Sequence, residues 1–253
     1  MIKTENLSKQ FGNFEAVKSL NLEVMPGEIY GFLGPNGAGK TTTIRMLVGL
    51  LKPTSGKVYI AGYDLEQAPI SAKSLVGFIP DRPYIYEKLT AREFLNFVGG
   101  IYGMSEAEIE RKAPGLLEFF DLKNWADELL ESFSHGMKQR VVYASALLHE
   151  PKVVIVDEPM VGMDPRGARL LKDAFRDFAH QQGRTIFMST HTLEVAEEVC
   201  DRIGIISHGR LIAEGTMSEL RSQSRSAEAN LEDIFLKLTG GEEDKELIQS
   251  LKG

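Results

Sequence analysis

Nine consecutive residues, Gly34-Pro35-Asn36-Gly37-Ala38-Gly39-Lys40-Thr41-Thr42, have the types and spacing needed to hold phosphate. Successive backbone N–H groups must turn inward toward phosphate oxygens, which calls for positive φ with no Cβ in the way, and glycine meets both demands. Asn36, Gly37, Ala38 and Gly39 would form the backbone cradle, and Lys40 would neutralise β- and γ-phosphates. Thr41 would offer its hydroxyl to Mg²⁺, and Thr42 closes the binding segment. A phosphate site of this kind needs a second carboxylate for the metal, at the end of an apolar strand, and Val153-Val154-Ile155-Val156-Asp157-Glu158-Pro159 supplies one in Asp157. Glu158, next along, is placed to polarise a water in line with the γ-phosphate. The plainer alternatives are a glycine-rich strand-to-helix turn for the loop and a strand-end capping carboxylate for Glu158.

The elements that must position these residues are legible around them. Residues 29–33 are a short apolar run before the loop, and 41–50 have the character of a helix after it, so the helix would aim the positive end of its dipole at an anion. Residues 29–33, 153–156, 185–188 and 203–206 read as buried strands of one parallel sheet. Residues 57–60 stop at the turn Ala61-Gly62, and 203–207 meet 210–214 through His208-Gly209, both antiparallel hairpin signals. From about residue 82 to 148 helix signals dominate, beginning with the capping box Thr90 to Glu93. A second box, Thr216 to Glu219, precedes a polar stretch, a short amphipathic piece over 231–238 and a charged end after Gly240-Gly241. The expected class is α/β, a P-loop NTPase parallel sheet core with an antiparallel β lobe and a helical lobe. Residues 1–220 would form the nucleotide-binding domain, with the helical lobe at about 82–148, and residues 221–253 a helical and charged tail, a mobile appendage after Gly240-Gly241.

The 253 residues carry 29 Lys+Arg against 36 Asp+Glu, a net charge of -7, which argues against a protein whose main partner is nucleic acid. The only cysteine, Cys200, excludes an internal disulfide and reads as small apolar filler. No apolar run approaches the ~18 residues a membrane span needs, and residues 1–10 lack a leader's apolar stretch, so neither a span nor secretion is expected.

With both halves of the phosphate site in view, five segments taken in order resemble the ATP-binding cassette (ABC) family, specifically the nucleotide-binding subunit of an ABC transporter. They are the loop 34–42, Phe133-Ser134-His135-Gly136-Met137-Lys138-Gln139-Arg140, the strand and carboxylates 153–159, Gly162-Met163-Asp164-Pro165 and Met188-Ser189-Thr190-His191. The resemblance implies that Phe11 stacks on adenine, although a core phenylalanine is the competing reading. It implies that Ser134 and Gly136 open a helix capping the γ-phosphate held by an opposite subunit. It also implies that His191 helps hold the attacking water, and that Asp164 lies on a loop crossing the dimer interface, where a turn carboxylate before Pro165 is the alternative.

Two departures stand out. The family's Leu-Ser-Gly-Gly-Gln reads Phe133-Ser134-His135-Gly136-Met137, which brings a histidine beside the implied nucleotide. Where most members carry glutamine, this chain has Asp81, read as a metal or coupling residue or else a loop cap. An acidic residue there, with Lys138-Gln139-Arg140 after the signature, looks more like export-type cassettes than solute importers. The resemblance then implies ATP and Mg²⁺ as cofactors and two copies closed head to tail. Transmembrane subunits would dock beside Asp81 and the helical lobe, with the chain peripheral on the cytoplasmic face of the cell membrane. The rival is a soluble ABC-type ATPase acting on ribosomes or DNA; such proteins generally carry tandem cassettes, coiled-coil arms or basic surfaces, and this chain shows none of these.

Overall fold

The computed structural model describes residues 1–160, 163–223 and 230–239. Strands β1 (Ile2–Phe11) and β2 (Phe14–Val24) form a long hairpin, β3 (Ile29–Leu33) leads into α1 (Lys40–Leu47), and β4 (Ser55–Ile60), β5 (Tyr63–Asp64), α2 (Pro69–Lys73) and β6 (Val76–Ile79) follow. The helices α3 (Ala91–Ile101), α4 (Glu106–Phe119) and α5 (His135–Leu147) come next, with two short 3-10 turns, Lys123–Trp125 and Leu130–Ser132, before α5. The remainder alternates: β7 (Val153–Asp157), α6 (Pro165–Arg176), β8 (Thr185–Thr190), α7 (Leu193–Val199), β9 (Arg202–Ser207), β10 (Arg210–Gly215), α8 (Met217–Gln223) and α9 (Leu231–Thr239).

Six strands in the order β10-β9-β3-β8-β7-β6 make the main sheet, parallel except for β10, and four in the order β2-β1-β4-β5 make an antiparallel sheet. The central strands are apolar along their length because both faces are covered. Alternation divides each between two cores: Val153 and Ile155 of β7 pack with α1 and the antiparallel sheet, whereas Val154 and Val156 pack with α3 to α6. Both expected hairpin turns have the two left-handed residues of a tight turn, φ 49° and 88° at Ala61-Gly62 and φ 49° and 79° at His208-Gly209.

Several expectations need correction. Helix α1 ends at Leu47 rather than at residue 50, because Gly49 adopts φ 69° and the chain closes a Schellman cap: Gly49 N–H donates to Met46 O at 3.1 Å and Leu50 N–H to Arg45 O at 2.8 Å. Residues 76–79, not among the strands read from the sequence, form the edge strand β6 of the main sheet, paired to β7. The amphipathic piece is the helix α9, and it packs into the body of the domain: Leu231 and Ile234 are buried with Leu33, Ala196 and Leu220. The charged end at 240–253, the polar stretch 224–229 and Gly162 lie outside the described residues. The capping boxes at Thr90 and Thr216 form as the sequence predicts, each threonine accepting from the N–H of a glutamate three residues on.

Candidate functional site

The loop after β3 and the N-terminus of α1 face a cleft of about 340 Å³. Its walls include Pro35, Asn36, Gly37, Gly39, Lys40, Thr41 and Thr42 from the loop, and Asp81, Asp157 and Glu158 opposite. Gly39, the residue before α1, has φ 110°, and a Cβ there would lie 2.5 Å from the Ala16 carbonyl, so only glycine lets the loop pass. Gly39 supplies no side-chain cap. The first N–H groups of α1 therefore lack the usual capping oxygen, which suits an anion. Lys40 is only 8 % exposed and folds back along the loop, its Nζ donating to Gly34 O at 2.5 Å and Pro35 O at 3.2 Å. Burial lowers its pKa, opposed by the charges of Glu158 and Asp157. Ala38 is turned away from the cleft: its N–H donates to Pro35 O at 3.1 Å and its carbonyl accepts from Gly209 N–H at 2.9 Å.

Strand β7 delivers Asp157 and Glu158. Burial raises the pKa of Asp157; the neighbouring charges of Asp81 and Glu158 push the same way, while hydrogen bonds from the Ser189 and Thr41 hydroxyls oppose them. Ser189 on β8 sits opposite Asp157 in the parallel register and donates to its Oδ1. Sequence reasoning gave Ser189 no role, since only strand register brings it there. Immediately after the strand Glu158 takes φ 57°, the left-handed region that non-glycine residues seldom adopt and that clusters at functional sites. Its N–H donates to Ser189 O at 3.0 Å, fixing the turn. His191, two residues beyond Ser189, brings Nδ1 to 2.8 Å from Glu158 Oε1. Because a carboxylate only accepts, Nδ1 carries the proton in this contact, leaving Nε2 free. Glu158 and His191 are thus a linked pair at the tips of adjacent strands.

Other predicted residues lie elsewhere. Ser134 caps α5, accepting from Met137 N–H at 3.3 Å, and neither it nor Gly136 lines the cleft of its own chain. Asp164 caps α6, accepting from Gly167 N–H at 2.7 Å. Phe11 is half-exposed at the end of β1 with Lys9 Nζ 5.3 Å above its ring, and its hairpin partner Phe14, together with Ala16, lines the cleft instead. The sequence signal for Phe14 was its place just past the Gly12-Asn13 turn, beside Phe11 across a hairpin.

A mainly parallel sheet whose glycine-rich β3–α1 turn carries the P-loop sequence, with paired carboxylates at the tip of β7, defines the fold of a P-loop nucleoside triphosphatase. The chain belongs to the ABC transporter family, whose profile matches residues 17–161. It is an ATPase, the ATP-binding cassette of that family. The linearmycin resistance ATP-binding protein LnrL of Bacillus subtilis (strain 168) is 39% identical over 223 residues, 88% of this chain and 71% of its own length. The bacitracin transport ATP-binding protein BcrA of Bacillus licheniformis is 41% identical over 225 residues, 89% of this chain and 72% of its own length. The solved structure of an ATP-binding subunit of an ABC transporter superposes with a TM-score of 0.89 at 36% identity, covering 94% of this chain and 99% of that one. The dimeric structure of MJ0796, a bacterial ABC transporter cassette, gives 0.79 at 26% identity over 86% of this chain and 99% of that one.

Proposed function

We propose that the chain powers export as the ATPase subunit of an ABC transporter, acting as a head-to-tail pair beneath separate transmembrane subunits at the inner face of the cell membrane. The observation that carries this reading is the Glu158–His191 contact at 2.8 Å beside the Lys40 cleft. Glu158 accepts the proton of the attacking water or orients it, and His191 holds the carboxylate in place. Lys40 and the open N–H groups of α1 neutralise the phosphates.

The cleft suits Mg²⁺ shared with the nucleotide. One cation, Lys40, faces three carboxylates, so a polyphosphate entering alone would meet net repulsion. Among the described residues no three His, Cys, Asp or Glu side chains form a ready-made metal cage. Mg²⁺ characteristically binds through one or two carboxylates plus substrate phosphates, and Asp157, Asp81 and the Thr41 hydroxyl are the residues that would hold it. It would supply charge neutralisation to the departing phosphoryl group.

Ser134 and Gly136, remote from their own cleft, fit a role on the nucleotide of the opposite copy, as does the dimeric arrangement of the MJ0796 cassette. Phe11 remains the proposed adenine platform, with Phe14 beside it, and Asp164 an interface residue. Export as the direction is supported by relatives named for drug resistance, bacitracin transport and Nod factor export. Membrane partners are supported by the exposed aromatic and aliphatic side chains Tyr84, Tyr86, Phe97 and Ile101 flanking the Asp81 loop. Among the described residues no helix is long and apolar enough to cross a membrane. The test is Glu158→Gln, which should retain ATP binding and lower turnover by about 10²- to 10⁴-fold. Turnover at the parent rate contradicts the assignment.

A further inference from the structure

The tips of β7 and β8 meet at the cleft, and the two carboxylates of one are held by different residues of the other. Successive residues of a strand face opposite ways, so Asp157 and Glu158 would ordinarily point apart. The left-handed φ of 57° at Glu158 breaks that alternation. Ser189 and His191, two residues apart at the end of β8, then take one carboxylate each. His191 Nδ1 meets Glu158 Oε1 at 2.8 Å, and the Ser189 hydroxyl donates to Asp157 Oδ1, its neighbour in the parallel register. The first contact concerns the group that handles water, and the second concerns the group assigned to the metal.

Ser189 is fully buried and Asp157 nearly so. Alanine would fill the place of Ser189 with no hydroxyl to satisfy, so packing alone gives no reason for a serine here, whereas the Asp157 oxygen beside it does. Asp157 also accepts from the Thr41 hydroxyl on α1. A hydroxyl that donates its proton keeps its lone pairs, which leaves the Thr41 oxygen able to ligate a cation. Asp157 is therefore gripped from two elements, α1 and β8. With Oδ1 committed to Ser189 the carboxylate plane is set, and its remaining lone pairs stay available to the cleft that Asp157 lines.

We propose that Ser189 is a positioning residue for Mg²⁺: its hydroxyl fixes the Asp157 carboxylate in the orientation that receives the cation brought with ATP. The inference rests on the assignment of Asp157 to the metal made above and adds to it the side chain that aims Asp157. Hydrogen-bond partners of a metal-holding carboxylate change metal affinity by about 10- to 100-fold when they are removed. The substitution Ser189→Ala spares the Ser189 carbonyl, which accepts from Glu158 N–H at 3.0 Å, so the turn that carries Glu158 is left in place.

The test uses the full chain and a fluorescent, non-hydrolysable ATP analogue, whose affinity is measured with excess Mg²⁺ and again with EDTA. The ratio of the two affinities reports the metal's share of binding and does not depend on turnover. In Ser189→Ala the affinity in EDTA should change little, since Lys40 and the loop are untouched, and the ratio should fall about 10- to 100-fold. Ser189→Thr and Ser189→Val place nearly the same shape at this position and differ in the hydroxyl. The ratio should stay close to the parent's in Ser189→Thr and fall in Ser189→Val. A parent ratio in Ser189→Ala, or equal ratios in Ser189→Thr and Ser189→Val, overturns the proposal. Should Ser189→Ala fail to fold, the other two variants decide alone. Asp157→Asn separates the proposal from the reading beneath it, because it should lose the effect of Mg²⁺ whatever Ser189 does. That loss alongside an unchanged Ser189→Ala overturns only the role of Ser189, whereas a parent ratio in Asp157→Asn overturns the assignment of Asp157 to the metal, and this inference with it.

Discussion

The sheet half of the cassette and its helical lobe are built in different ways. Lys40, Asp157, Glu158 and His191 stand on or next to strands buried on both faces, and the Glu158–His191 and Asp157–Ser189 contacts are already made within one chain. Ser134 and Gly136 open a helix whose first turn faces away from that cleft, and the lobe around them displays aromatic side chains and surface ion pairs such as Lys88–Glu131 and Arg92–Asp127. Exposed pairs of this kind contribute little energy, so the lobe is held mainly by its own apolar core and by a few links to the sheet. The difference teaches a division of labour: chemistry is fixed in the rigid half, while adjustment belongs to the half with exposed, unfilled surface.

Substitutions can break this contrast or sharpen it. The largest effect is expected in the sheet, where Ile155→Ala should lower stability by about 2–5 kcal/mol in urea unfolding, because the site is fully buried against packed neighbours. A loss under about 1 kcal/mol would mean that the sheet is not the rigid half. Next, Lys40→Ala should weaken ATP binding by about 10- to 100-fold, through loss of charge-assisted bonds, with unfolding stability changed little. Binding at the parent affinity would detach Lys40 from the phosphates.

A smaller and pH-dependent effect belongs to the seam between the halves. His149 stacks on Tyr102 with ring centroids 3.6 Å apart, and both donate to the Val76 carbonyl, His149 Nε2 at 3.1 Å and Tyr102 Oη at 3.2 Å. Burial drives the His149 pKa from 6.5 down to about 4. The unfolded chain therefore binds a proton at a pH where the folded one does not. The stabilisation is complete above pH 6.5 and is lost as pH falls toward 4. Allowing for partial exposure, the loss should be about 1–2 kcal/mol, and His149→Phe should flatten that slope while Tyr102 keeps the carbonyl satisfied. An equal slope in the variant would remove the seam from the comparison. The smallest effect is expected on the outer face of the lobe, where Phe97→Ala should change stability by no more than about 0.5 kcal/mol yet weaken association with membrane subunits in co-purification.

How much of this was legible beforehand follows from how local each feature is. The loop 34–42, the strand ending in Asp157 and Glu158, and the turns at Ala61-Gly62 and His208-Gly209 are written in contiguous residues, and sequence reasoning recovered them. Ser189 was passed over because its meeting with Asp157 depends on the register of two strands separated by 32 positions. Strand β6 was passed over because four residues ending at Ile79, just before Pro80, are too few to display a period. The preference of the cleft for Phe14 over Phe11 depends on the twist of a hairpin, which no spacing rule records. The amphipathic pattern of α9 was visible, but its destination against Leu33 and Ala196 was not, since any apolar groove would have satisfied it.

The claim that joins both halves is that ATP is enclosed between two copies, each giving the part the other lacks. Light scattering on the Glu158→Gln chain with saturating ATP tests it most directly. The mass should double on adding ATP and return to that of one chain when Ser134→Arg is added to the same protein. A mass that stays at one chain throughout, in protein that demonstrably binds ATP, would contradict it.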